Sequence, residues 1–95
     1  MLSDQDKAAI IQTASQYNAR RVLLFGSGAN PRSESRDIDI AVEGVHPKKF
    51  FEFYGDMIFR VSKPVDIVDL DQKNRFTKII RKEGIVIYDK SERAA

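Results

Sequence analysis

Apolar residues recur at helical spacing in three parts of the chain, and four other parts carry short apolar or alternating runs. The first pattern predicts amphipathic helices, and the second predicts strands. The predicted helices cover about residues 4–19, 47–61 and 76–83. The predicted strands cover residues 21–25, 37–42, 65–70 and 85–88.

Helices and strands alternate along the chain, which is typical of an α/β or α+β domain with helices packed on a sheet. The first two strands are separated by residues 26–36, a segment that is short for a helical crossover. We therefore predict a mixed or antiparallel sheet rather than a doubly wound parallel one. Residues 1–95 are predicted to form one domain, with residues 89–95 as a frayed tail.

The composition of the chain excludes several classes of function. The chain has 42% hydrophobic and 32% charged residues, as in ordinary soluble globular proteins, and its net charge of +2 gives no strong field for nucleic acid. There is no cysteine, so disulfide scaffolds, zinc-thiolate sites and thiol catalysis are excluded. The first residues are acidic and polar, and no apolar run is long enough to span a bilayer, so we expect a cytoplasmic protein without a membrane segment.

Two aspartates on the second predicted strand are the first candidates for chemistry. In the Asp37-Ile38-Asp39 sequence the two carboxylates project to the same side, with Cα atoms roughly 6.6 Å apart. If their oxygens approached within about 4 Å, the repulsion would be about 4 kcal/mol at an effective dielectric constant near 20. Such a pair favours a bound cation or open water.

A third acid interrupts the apolar third strand. If this strand lies beside the second, Asp66 can join Asp37 and Asp39. Three converging carboxylates form an all-oxygen site that suits magnesium or manganese, bound together with substrate phosphates.

The turn after the first strand supplies groups that suit phosphate. Gly26 lets the backbone approach a ligand closely, and the amides and hydroxyl at Ser27 can hold phosphate oxygens. Arg32 and Arg36 follow in the same loop and can contact the same phosphates. Together with the acids, this arrangement indicates phosphoryl or nucleotidyl transfer.

Simpler interpretations of the acids stay open. Asp37 and Asp39 can form the solvated face of a strand, and Asp66 can be a strand-edge residue or an ion-pair partner of Lys63. Asp69 and Asp71 compete with Asp66 for the third position. Strand alternation puts Asp69 on the opposite face, and Asp71 follows the strand, so Asp66 is preferred.

Three further features have two interpretations each. His46 precedes Pro47 and is interpreted as a helix-start residue rather than a catalytic base. Phe51 and Phe59 lie off the main apolar stripe of their helix, which indicates either a helix between two layers or a docking surface for another protein. A basic tract forms either a solvated helix face or a contact for an acidic partner or RNA. This tract consists of Lys73, Arg75, Lys78, Arg81 and Lys82.

The order of these motifs resembles the minimal nucleotidyltransferases of the DNA polymerase beta superfamily. The resemblance covers roughly residues 20–88 and is carried by the Gly26-Ser27 pair and by the acidic strands at 37–40 and 65–70. It implies the mixed-sheet nucleotidyltransferase fold.

The resemblance also implies roles for the site residues. Asp37 and Asp39 would be ligands of magnesium, with two ions in the family's mechanism and manganese as a substitute. Asp66 would be the third carboxylate and would help to activate the acceptor hydroxyl. The Gly26-Ser27 pair would bind the triphosphate of the substrate, ATP.

Family members of this size commonly act as antitoxins beside a helical HEPN partner, often an RNase toxin, and some transfer AMP from ATP to a tyrosine of that partner. The resemblance thus implies transfer of NMP, most simply AMP, to a hydroxyl of a HEPN toxin within a hetero-oligomer. The alternative is a binding module that neutralises the toxin by docking, with little or no catalysis. A nucleic-acid polymerase is disfavoured by the small size and the nearly neutral charge.

Overall fold

The computed structural model describes residues 2–26 and 36–93. They form a four-stranded sheet with four helices, close to the predicted order of elements. The helices are α1 (Asp4–Gln16), α2 (Pro47–Arg60), α3 (Arg75–Glu83) and α4 (Lys90–Arg93). The strands are β1 (Arg21–Leu24), β2 (Ile38–Glu43), β3 (Val65–Asp69) and β4 (Ile85–Asp89). No helix in this part of the chain is long and apolar enough to cross a membrane.

The sheet is mixed, as the short connection between its first two strands predicts. The strand order is β3-β2-β1-β4. Strand β1 runs antiparallel to both of its neighbours, whereas β2 and β3 are parallel and are joined through α2. This crossover places β3 beside β2, which is the condition on which the predicted acidic site depended.

The two faces of the sheet have different roles. On one face, which we call the core face, strand residues such as Ile40 and Ile67 pack against α1 and α2, with Ile10 and Phe53 fully buried between the layers. On the other face α3 covers a smaller cluster made by Leu23, Ala41, Leu70 and Ile80. The second face is only partly covered and also carries Asp39, so we call it the acid face.

A buried carboxylate fastens α1 to the end of α2. Ser3 caps α1, since its hydroxyl accepts a hydrogen bond from the Asp6 backbone N–H at 3.1 Å. The buried Asp6 side chain accepts from the Ser62 backbone N–H at 2.9 Å and from the Ser62 hydroxyl at 2.7 Å. Burial alone would raise the pKa of Asp6, but these hydrogen bonds outweigh it, and the pKa lies below its usual value.

The predicted C-terminal boundary of the first helix is wrong. Helix α1 ends at Gln16 rather than near residue 19, because Asn18 adopts the left-handed conformation with φ 62°. Within the predicted tail, Lys90–Arg93 form a single helical turn. The Asp89 carboxylate caps this turn by accepting from the backbone N–H and the hydroxyl of Ser91 at 2.9 and 2.6 Å.

Candidate active site

Two of the three predicted acids face each other across neighbouring strands. Asp39 of β2 is the register partner of Asp66 of β3, so in this parallel pair both side chains lie on the acid face. Asp37 was predicted to begin the strand, but β2 starts at Ile38, and Asp37 is an exposed residue in the bend before it. The three acids therefore lie at the same end of two adjacent strands.

Gly26 approaches the acids directly. It follows β1 with φ +71°, and a Cβ atom built there would lie 2.5 Å from Asp39 Oδ2. The Phe25 backbone N–H donates to the Asp39 carbonyl oxygen at 3.0 Å, which holds the end of β1 against β2. Only glycine accommodates both the positive φ and the close carboxylate. The sequence predicted a close approach to a ligand at Gly26, and the structure adds that the carboxylate of Asp39 lies against this glycine.

Among the described residues, no cationic side chain compensates the charge of Asp39. Burial raises the pKa of its carboxyl above the usual 3.8, and the negative charges of Asp66 and Asp37 raise it further. Within residues 2–26 and 36–93, no lysine or arginine forms an ion pair with Asp39. A cation from outside the chain would reverse this shift.

The donor set suits a hard divalent cation. In the described part of the chain no three carboxylate, imidazole or thiolate groups already stand close enough together to enclose a metal ion. Magnesium, however, is usually held by one or two carboxylates, with substrate phosphates and waters completing its octahedron. Asp39 and Asp66 provide two carboxylates side by side, with Asp37 two residues from Asp39. The residues present therefore fit magnesium or manganese bound with a phosphate substrate.

The predicted phosphate-binding residues are only partly described. Gly26 lies at the site, and Arg36 is exposed directly before Asp37. Ser27 and Arg32 lie outside the described residues, and their predicted roles stay predictions.

The competing candidates are engaged elsewhere. The Asp69 carboxylate accepts from the Asp71 backbone N–H at 2.9 Å, and the Asp71 carboxylate accepts from the Gly44 N–H at 3.0 Å. These bonds close the loop at the opposite end of β3 from Asp66. His46 caps α2, with Nδ1 accepting from the Lys48 N–H at 3.1 Å, so its interpretation as a helix-start residue is confirmed.

Sequence reasoning missed a second acidic position on β2. Glu43 lies on the acid face at the far end of the strand and is buried, and its carboxylate contacts Arg81 of α3 at 2.5 Å and Arg21 of β1 at 3.7 Å. Arg81 also donates to the Leu70 carbonyl at 3.0 Å, so this exposed residue of the basic tract has a structural contact in addition to its solvated surface. The alternation of side chains along β2 is a signal that Glu43 lies on the same face as Asp39. The arginines that contact Glu43 come from distant segments, so the sequence alone does not indicate that it is paired.

Comparison with known proteins places this geometry in a family. A solved toxin–antitoxin with AMP-PNP is similar, with 21% identity and a TM-score of 0.70 over 87% of this chain and 73% of that chain. The toxin–antitoxin MntA–HepT has 18% identity and a TM-score of 0.68 over 96% and 76%. A mutant of such a complex, in which two aspartates two positions apart are changed to glutamate, has 20% identity and a TM-score of 0.68 over 87% and 72%.

At these identities the solved structures establish the likeness of the fold alone. No curated protein matches the chain. The family described as polymerase beta nucleotidyltransferase, in contrast, matches residues 8–93, nearly the whole chain. The mixed sheet of this chain, with paired acids at one end, is consistent with that match. The chain belongs to the polymerase beta nucleotidyltransferase family.

Proposed function

We propose that this protein is a metal-dependent nucleotidyltransferase that transfers AMP from ATP to a hydroxyl of a HEPN toxin and acts as the toxin's antitoxin. The observation that carries the proposal is the cross-strand pair of Asp39 and Asp66, closed in by Gly26 and lacking a cation of its own among the described residues. The similar complexes support the choice of ligand and partner, since one contains AMP-PNP and another is the toxin–antitoxin MntA–HepT.

The three acids have two roles in the proposed reaction. Asp37 and Asp39 would hold magnesium, which neutralises the triphosphate and polarises the α-phosphate when it is bound. The acceptor oxygen forms a bond to the α-phosphorus while the bond from that phosphorus to pyrophosphate breaks. Asp66 is exposed at the edge of the sheet, where a carboxylate oxygen can take the proton from the acceptor hydroxyl.

A second surface favours the alternative function, neutralisation by docking. Phe51 and Phe59 are 92% and 90% exposed on the outer side of α2, beside the half-exposed Ile58. Helix α2 buries its opposite side, including Phe53 and Met57, on the core face. An apolar patch of this kind marks an interaction site, and we assign it to the toxin. Because α2 covers the face opposite the acids, docking and transfer can be separated by mutation.

The two functions are tested by incubating the chain with ATP labelled at the α-phosphate, magnesium and the HEPN toxin proposed as its partner. Wild type should label the toxin and suppress its RNase activity. The double change Asp37→Asn and Asp39→Asn should reduce labelling by at least about 100-fold, since a metal contributes several kcal/mol to the transition state.

A matched variant changes the patch alone. Phe51→Ser with Phe59→Ser should weaken the complex with the toxin, measured by co-purification, and leave ATP binding intact. If the toxin stays suppressed when both acids are replaced, suppression is due to docking, and the proposal of an enzymatic antitoxin is wrong.

A further inference from the structure

Helix α3 leaves apolar side chains uncovered on one side. Thr77 and Ile80 are buried against the sheet, but Phe76 and Ile79 are 52% and 48% exposed. The rest of this short helix is mostly charged. Core packing accounts for the buried side chains of Thr77 and Ile80. It does not account for apolar side chains at the exposed positions 76 and 79.

These side chains border a cavity of about 300 Å³ between α3 and the end of β1. Phe25, Gly26, Phe76 and Ile79 line it, together with residues 80, 83 and 84. The rings of Phe25 and Phe76 meet edge to face, with centroids 5.8 Å apart and planes at 83°. This contact holds the Phe76 ring in place at the border of the cavity, and the residue stays about half exposed.

The cavity adjoins the acidic site through one residue. Gly26 lines the cavity and also lies against the Asp39 carboxylate. A substrate whose phosphates lie at the acids therefore has its other end within reach of Phe76. The single carboxylate in the lining, Glu83, and the absence of a lysine or arginine among the described lining residues disfavour a phosphate there. An apolar, aromatic lining suits a flat, uncharged ring instead.

We propose that this cavity binds the nucleobase of the substrate, with the base stacked on Phe76 and flanked by Ile79. The proposal rests on the proposed function, since it takes the acids as the site of the triphosphate. It assigns the affinity for the base to α3 and the affinity for the phosphates to the acids and the Gly26 turn.

The test compares ATP with inorganic tripolyphosphate, each titrated with magnesium into the full chain by calorimetry. Wild type should bind ATP more tightly than tripolyphosphate. Phe76→Ala should weaken ATP binding by about 5- to 150-fold, the range for loss of one base–aromatic stack, and leave tripolyphosphate binding unchanged. The unchanged tripolyphosphate affinity also shows that the variant is folded. Val86→Ala, which trims a half-exposed apolar side chain on β4, is the matched control and should change neither affinity.

The outcomes separate this proposal from the one on which it rests. If Phe76→Ala leaves ATP binding unchanged, the cavity does not hold the base, and an acceptor side chain becomes its candidate occupant. If the variant weakens ATP and tripolyphosphate equally, Phe76 supports the fold of the site, and the proposal is again overturned. If wild type binds tripolyphosphate as tightly as ATP, the base site fails while the phosphate site stands. If wild type binds neither compound, both proposals fail.

Discussion

The two ends of β2 present acids to the same face of the sheet in opposite electrostatic settings. At one end Glu43 is 8% exposed and contacts Arg81, Arg21 and, at 3.9 Å, Arg20. At the other end Asp39 is partly buried beside Asp66, and its pKa is raised by burial and by neighbouring negative charges. Arginine side chains pair with Glu43, whereas no cationic side chain among the described residues pairs with Asp39.

This difference separates a structural acid from a functional one. A buried carboxylate is expensive unless it is paired, and Glu43 meets that requirement through an ion-pair network that joins β1, β2 and α3. No cation among the described residues offsets the charge of Asp39, which is typical of groups that are completed by a ligand. Substitutions at either end of β2 test this distinction.

The largest effect is expected at the acid end, from Gly26→Ala. The added methyl group would collide with the Asp39 carboxylate, and the positive φ would add about 1–2 kcal/mol of strain. A carboxylate displaced by about 1 Å should reduce AMP transfer by roughly 100-fold. Initial rates with α-labelled ATP measure this, and a rate within twofold of wild type would show that the Gly26 contact has no part in the site.

Gly55→Ala is the matched control. A Cβ atom at Gly55, within α2, would meet no atom within 4 Å beyond its chain neighbours and the backbone of its own helix. Because glycine is unfavourable in a helix, this change should stabilise the protein by roughly 0.5–1 kcal/mol. Thermal melts should therefore move in opposite directions for the two variants.

At the Glu43 end, Arg81→Ala should affect stability rather than chemistry. It removes the shortest ion pair of Glu43 and the hydrogen bond to the Leu70 carbonyl, at a cost of roughly 1.5–3 kcal/mol. Arg20 and Arg21 remain beside the carboxylate and limit the loss. Lys82→Ala, one position along α3 and exposed, should stay within about 0.5 kcal/mol of wild type. Urea titration measures both changes, and equal stabilities would mean that the Glu43 network contributes nothing.

Elements with a local signal could be predicted from the sequence. The apolar stripe after Pro47 predicted a helix over 47–61, and α2 spans Pro47–Arg60. Strand alternation chose Asp66 over Asp69, and the register with Asp39 agrees. The pairing itself was only conditional, because the order of strands depends on long-range packing rather than on local pattern.

The features that were missed depend on contacts between distant segments. The partners of Glu43 come from β1 and α3, and the contact between Gly26 and Asp39 joins two strands. The helical spacing of the apolar residues placed Phe76 on the apolar side of α3. It could not show that the sheet leaves about half of this residue exposed. Only the folded chain shows that α3 extends past its contact with the sheet.

The smallest effects concern the charge on Asp39 and its dependence on pH. A carboxyl whose pKa is raised by folding binds more protons in the folded state between its usual 3.8 and the higher value. The free energy of unfolding therefore falls as pH rises through that window, and ionised Asp39 destabilises the metal-free protein at neutral pH. The difference in melting temperature between Asp39→Asn and wild type should be positive at pH 7 and should shrink towards zero below pH 3.8. A difference that is independent of pH would contradict the assigned charge effect.

The central claim, that Asp39 belongs to a metal-dependent nucleotide site, is tested most directly by melting wild type and Asp39→Asn at pH 7 with and without magnesium and ATP. Without metal, the variant should melt at a higher temperature, by roughly 4–8 °C for each kcal/mol of relieved charge. With magnesium and ATP, wild type should gain stability by ligand binding, and the variant should gain little, so that the advantage shrinks or reverses. A variant that melts lower than wild type in metal-free buffer and gains as much from magnesium and ATP would show that Asp39 is a structural acid like Glu43.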